Sequence, residues 1–420
     1  MKLLIPIIIT FSFLFTENIS EIEIHGNKVT HDYIILREII HPLNTEFSDS
    51  LRIEDQNRLY NLGIFSFVQI KKVNNIYQIN VKEAFRFYPL PLIDIDESKG
   101  SEGTSYGLAL SILNLNGKNR RFEVGSMFGN KHVYFLRFSD PWIIGDHVSF
   151  VMDLFQKNEQ SFWYDNKIEN VFNNIMNGLE FGTGFYLGLK NKFNIKVGLF
   201  KNSIDFKEYD ATGLVQEYQN YGMSFTYSYD SRNIFIDPTK GNLFKINLNQ
   251  NLGINGSKSF SNLYLEWNQY FKILEFKELT LNIKSKLLLQ DSKHIPIFNY
   301  YSLGSEDFVR GYNPYPSKNK LEIQGEIRTS QIYSQSLEFQ YTLIEKKSYD
   351  GFEFGLDNLL FLDIGFGNES IDELFNNIPL IGYGVGFRFF MSGMGTIGVD
   401  FGFNPYSLTP QLHLSDGKDN

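Results

Sequence analysis

From about Gly103 onward, apolar and polar positions alternate with a period of two, the spacing of a strand that shows a different environment on each side. GYGVGFRFF (382–390) sets Tyr383, Val385, Phe387 and Phe389 against Gly382, Gly384, Gly386 and Arg388. TIGVDFGF (396–403) opposes Ile397, Val399, Phe401 and Phe403 to Gly398, Asp400 and Gly402. SLEFQYTL (336–343) opposes Leu337, Phe339, Tyr341 and Leu343 to Ser336, Glu338, Gln340 and Thr342. About sixteen such strands, each followed by a polar turn or loop, are predicted between Gly103 and Leu414. A soluble sandwich alternates too. The number of strands, together with an apolar N-terminus, selects the other reading: a mostly β chain forming a 16-stranded antiparallel transmembrane β-barrel. Lys245, Lys284, Lys286 and Arg388 all fall on polar faces. That placement is required if the other face meets lipid, where a charge costs about 2–4 kcal/mol at the midplane.

Residues 20–83 follow a different pattern. SEIEIHG reads as a short strand, Gly26 and Asn27 as a turn, and Thr30 as the cap of a helix carrying Ile34, Ile35, Ile39 and Ile40. A second helix is predicted from Ser50 to Leu62, ended by Gly63, and then a strand pair, 65–73 and 76–84, across Asn74 and Asn75. The order is strand, helix, helix, strand, strand, which defines an α+β domain at 17–84. Residues 85–102, with Pro89 and Pro91, read as a lead-in, 103–414 as the barrel, and 415–420 as a polar tail. At the start, Lys2 and the apolar run Leu3–Phe15 predict an export signal over residues 1–16.

Composition narrows the function. Forty Phe, twenty-four Tyr and thirty-four Gly suit a barrel with aromatic girdles, and a net charge of −9 gives no footprint for nucleic acid. There is no cysteine, hence neither a disulfide framework nor a thiolate metal site. The seven histidines show no triad or metal spacing, and His147 after Asp146 reads as a rim residue. Catalytic residues, metal and cofactor are therefore not expected.

The densest local signal is FVRGYNPYP (308–316), one arginine among glycine, aromatics and two prolines. Gly311 frees the backbone beside Arg310, Pro314 and Pro316 stiffen the exit, and Phe308, Tyr312 and Tyr315 supply contact area. Such a loop either pins a buried cation or lies outside with Arg310 solvated.

The N-terminal domain, with GN after its first strand and Leu59, Gly63 and Phe65 before its second, resembles a POTRA domain. Four further segments stand in the order found in the BamA/TamA-type outer-membrane assembly factors, a superfamily that includes the two-partner-secretion transporters. They are FSDPWIIGDHVSF (138–150), YDSRNIFIDPTKGNLFKINL (229–248), Val309-Arg310-Gly311-Tyr312, and SLEF (336–339) with FLDIG (361–365). The resemblance implies that the loop, at about 290–330, folds into the lumen with Arg310 against the carboxylates Glu338 and Asp363. Alternation places both carboxylates on lumenal faces independently. Their role is either to staple the barrel or to switch it.

The last strand departs from the family pattern, since no aromatic follows Leu414 and Pro410 removes a ladder donor. This predicts a weak seam between Tyr106, Leu108 and Leu110 on one side and Pro410 and Leu412 on the other. The implied function is insertion or translocation of unfolded outer-membrane or secreted client proteins at the bilayer. Clients would dock on the edge strand Phe67, Val68, Gln69, Ile70 and Lys71, with periplasmic chaperones or accessory proteins as further partners. A single POTRA and the lack of a plug helix before Ser20 favour assembly over two-partner secretion. A barrel enzyme or passive porin is the more distant alternative.

Overall fold

A computed structural model describes residues 18–95, 103–145, 147–165, 168–206, 217–274, 278–291, 295–312, 328–349, 351–391 and 395–416. The expected export signal, residues 96–102, Asp146, the proline-rich exit after Tyr312 and most of the polar tail lie outside these residues.

The N-terminal module contains β1 (Glu21–His25), α1 (Asp32–Leu36), α2 (Asp49–Asn61), β2 (Phe65–Val73) and β3 (Ile76–Glu83). Its sheet order is β1-β3-β2, with β1 parallel and β2 antiparallel to the central β3, so β2 is an edge strand. Ile34, Ile35, Leu59, Phe65, Ile70, Tyr77 and Ile79 form its core. The first helix is shorter than the isoleucine spacing predicts, and Thr30 does not cap it. The Thr30 hydroxyl instead donates to Glu83 Oε1 at 2.7 Å, a bond that ties the helix entry to the end of β3. Ser48 caps α2 by accepting from the Leu51 N–H, and Gly63 follows that helix with φ 68°.

One buried carboxylate organises this module. Asp55 accepts hydrogen bonds from the Ile40 N–H at 2.8 Å, the His41 N–H at 3.3 Å and the Tyr77 hydroxyl at 2.8 Å. Burial nevertheless pushes its carboxyl above the usual range, and burial raises Glu38 likewise against the pull of Arg58 and Arg37. A carboxyl with a raised folded-state pKa holds its proton more tightly when folded. Its contribution to stability is therefore full at low pH and falls as pH rises through the folded value. Amide exchange in the module of the full chain, corrected for intrinsic rates, is expected to slow as the pH is lowered from neutral towards the ordinary carboxylate range. Asp55→Asn should remove part of that response. Protection that grows with pH in the wild-type chain would contradict it.

The remaining strands form one sixteen-stranded antiparallel meander. They are β4 (Phe87–Ile95), β5 (Thr104–Leu115), β6 (Arg120–Gly129), β7 (His132–Ile144), β8 (Val148–Asp165), β9 (Ile168–Leu187), β10 (Asn191–Phe206) and β11 (Glu217–Asp230). The second half is β12 (Gly241–Ile254), β13 (Phe260–Lys272), β14 (Thr280–Gln290), β15 (Gln331–Tyr349), β16 (Phe352–Asn368), β17 (Leu380–Met391), β18 (Gly395–Asn404) and β19 (Ser407–Asp416). Large apolar side chains such as Val197, Leu199, Leu360, Leu362 and Tyr383 stand exposed on the outer face, which in a soluble protein would be a severe liability. Against lipid it is the requirement.

The sixteenth strand comes from residues assigned to the lead-in. Phe87–Ile95 pairs with β5 in continuous register from Phe87↔Ile112 to Ile95↔Thr104. The Arg86 carbonyl accepts from the Leu113 N–H at 2.8 Å, so even-numbered positions bond towards β5 and odd-numbered ones turn away. Pro89 and Pro91 occupy odd positions, where no N–H is needed for that pairing. Two prolines in alternate places therefore mark an edge strand, not a linker.

The module lies across one mouth of the barrel. The His31 N–H donates to the Gly117 carbonyl at 3.1 Å in the β5–β6 turn, and the Arg37 guanidinium sits 4.5 Å from the centre of the Trp142 ring at the end of β7. Asn61 makes two reciprocal bonds to the β11–β12 loop: it donates to the Asn233 carbonyl at 3.1 Å and accepts from the Phe235 N–H at 2.9 Å. Tyr60 bonds Glu353 on β16. These contacts are distributed from the β5–β6 turn round to the start of β16.

Candidate functional site

The long connection between β14 and β15 enters the lumen from the other end. Its return is built on local backbone bonds, Val309 N–H to the Leu303 carbonyl at 3.2 Å and Ser305 N–H to the Val309 carbonyl at 3.0 Å. Phe308, Val309 and Tyr312 pack with Leu303, Ile332 and Leu380, and the Tyr312 hydroxyl donates to the Ile381 carbonyl at 3.0 Å. Arg310 is thereby held inward, only 6% exposed.

Why the loop fits so closely against the wall is legible in the glycines. A Cβ on Gly382 would stand 1.8 Å from the Arg310 carbonyl oxygen, and one on Gly402 would stand 2.4 Å from the Gly311 nitrogen. Lumenal glycine on β17 and β18 is what lets main chain lie on main chain. Gly311 itself has φ 94°, in the left-handed region, with Phe403 backbone against the place a Cβ would take.

The Arg310 guanidinium is fully engaged. Nε and Nη2 fork onto Asp363 at 2.8 Å each, and the Arg310 backbone N–H donates to the same carboxylate at 3.0 Å. Nη2 also lies 2.9 Å from Glu338 and 3.0 Å from the Ser336 hydroxyl, while Nη1 donates to Asp400 at 3.0 Å. Phe361 closes one face, its ring centre 3.6 Å from the guanidinium carbon. Around this centre, Lys284 pairs with Glu338 at 2.8 Å and Arg388 with Asp400 at 2.5 Å. Three cations thus face three carboxylates, Glu338, Asp363 and Asp400, each no more than 3% exposed. Such a network tolerates burial only while every member is paired.

Sequence reading named Arg310, Glu338 and Asp363, and the fold brings all three together. It did not connect Asp400 to them, although the alternation had put Asp400 on a polar face. His413, one of the seven histidines without triad or metal spacing, also reaches the loop. On β19 its Nε2 accepts from the Gly311 N–H at 2.9 Å, and Asn404 Nδ2 donates to the Gly311 carbonyl at 2.5 Å.

The strand seam needs correcting. Tyr106, Leu108 and Leu110 belong to β5, an interior strand paired on both sides, and their side chains are exposed on the outer wall. The free edges are β4 and β19. Among the described residues no main-chain pairing joins them. Pro410 and Leu412 do lie on the edge strand β19, and Pro410 sits where its register with β18 shifts. At the other proposed contact surface, Val68 and Ile70 of β2 face the module core, Phe67 is half-exposed, and Gln69 and Lys71 alternate with them.

No curated protein matches the sequence. The chain matches the Omp85 superfamily domain over residues 114–417. Among solved structures, BamA from Haemophilus ducreyi lacking POTRA domains 1–3 is similar with a TM-score of 0.55 at 16% identity, over 94% of this chain and 82% of that one. CdiB from Escherichia coli is similar with a TM-score of 0.59 at 14% identity, over 95% of this chain and 75% of that one. CdiB from Acinetobacter baumannii gives 0.50 at 12% identity, over 94% and 72%. The chain belongs to the Omp85 superfamily: it is an outer-membrane β-barrel of the group of transporters and assembly factors, and not an enzyme.

Proposed function

We propose that this protein inserts client barrel proteins into the outer membrane, receiving them on a periplasmic POTRA domain, residues 18–84, and releasing them into lipid through the β4–β19 seam. The observation that carries the reading is the unpaired seam, with Pro89 and Pro91 turned towards it on one edge and Pro410 on the other. Both mouths of the lumen are obstructed, by the module at one end and by the Arg310 loop at the other. A route through the wall therefore needs less rearrangement than a route along the axis. In this scheme β2 offers an edge to extended client segments, whose main-chain hydrogen bonds tolerate many sequences. Secretion of a dedicated partner through the lumen is the second reading, favoured by the CdiB likeness, and it requires both obstructions to move.

The test is reconstitution of the full chain in lipid vesicles with an unfolded outer-membrane barrel as client. Protease-protected, heat-modifiable client should form faster than in protein-free vesicles. Equal rates would refute the insertase reading, and client delivered to the far compartment without insertion would support secretion.

A further inference from the structure

The contact between His413 and Gly311 joins two parts that function has to coordinate, the lumenal loop and the last strand of the open seam. Gly311 is bound through both of its backbone groups, its N–H by His413 of β19 and its carbonyl by Asn404 of β18. His413 is 4% exposed, so no bulk water competes for this bond. We propose that His413 is the latch between the Arg310 loop and the seam strand, and that protonating its imidazole releases the loop from that strand.

The chemistry follows from which nitrogen is used. Accepting from the Gly311 N–H requires Nε2 to carry a lone pair, so the ring is neutral with its proton on Nδ1. A proton added at Nε2 would turn two donors face to face at a separation of 2.9 Å. The bond would be lost and repulsion would replace it. Nearby charges make the protonated ring tolerable where it stands. Glu306 of the loop has its carboxylate 3.8 Å from Nδ1, and Asp400 is the register partner of His413 on β18. Arg310 and Arg388 both neutralise Asp400, and Lys131, in the β6–β7 turn, is paired at 2.9 Å with Asp94 of β4. His413 is thus the attachment of the loop on the last strand.

The inference concerns the barrel and is independent of the client role. Spin labels at the exposed positions Asp307, on the loop, and Leu408, on β19, report their separation in the full chain. Wild type should give a single narrow distance at about pH 8 and a second, longer population at about pH 5, raised about tenfold for the loss of one buried hydrogen bond. His413→Gln, whose amide oxygen accepts but does not titrate in this range, should stay narrow at both. His413→Ala should be broad at both. Glu306 and Asp400 remain in the glutamine variant, so their own titration is controlled. A wild-type distribution unchanged with pH, or a glutamine variant that broadens as wild type does, would overturn the latch.

Discussion

Replacing Arg310 with methionine will lower the stability of the folded barrel by about 3–5 kcal/mol, the cost of breaking a buried ion pair by deleting one partner. The effect is large because of the unequal position of the three carboxylates. Glu338 keeps Lys284, and Asp400 keeps Arg388. Asp363 keeps the Ser336 hydroxyl, at 2.6 Å, and the backbone N–H of position 310, at 3.0 Å, but no cation. A charge that is 1% exposed is then left without a counterion. Arg310→Lys should recover little, since one ammonium cannot fork onto Asp363 while also reaching Glu338 and Asp400. The diagnostic is the double variant Arg310→Met with Asp363→Leu. Removing both charges abolishes the stranded carboxylate, so the pair should be more stable than Arg310→Met alone. The temperature at which the unheated gel band converts to the unfolded position measures each. A double variant less stable than the single would show that Asp363 matters for something other than this pairing.

Why Asp363 and Glu338 were legible in the sequence, and Asp400 and His413 were not, has a physical explanation. Strand periodicity fixes the side of the wall on which a residue stands, and Glu338, Asp363, Arg388 and Asp400 all meet one another on the lumenal side. It says nothing about where a loop from elsewhere will lie. Asp400 is ninety positions from Arg310 and His413 is 102 from Gly311, and what joins them is the loop's path over Gly382 and Gly402. A smooth glycine wall opposite a lumenal carboxylate is the signal that was available. The lead-in failed for a different reason. Proline argues against an interior strand, but an edge strand needs only every second N–H, and Pro89 and Pro91 are two residues apart. Thr30 reads as a helix cap locally, yet its hydroxyl oxygen accepts from the Asn114 side-chain amide at 2.8 Å while its O–H donates to Glu83 at 2.7 Å.

A disulfide across the seam will abolish client insertion if the wall is the route. The chain has no cysteine, so two introduced ones pair without competition. Ile93 of β4 and Leu408 or Leu412 of β19 are the positions to join, Ile93 and Leu408 being exposed on the outer face. Whichever partner falls within the roughly 4.4–6.8 Å Cα separation that a disulfide accepts will oxidise in high yield. The folded barrel should then resist heat at least as well as before, because the bond adds a covalent closure to an edge that has no ladder. Insertion of the unfolded client should fall to the rate of protein-free vesicles, and reduction should restore it. The two readings separate here: a lumenal route does not need β4 and β19 to part, so secretion would survive the lock. Full insertion with the seam oxidised would exclude the wall. Insertion already lost in the reduced variant, before any disulfide forms, would trace the loss to the substitutions and not to the closure.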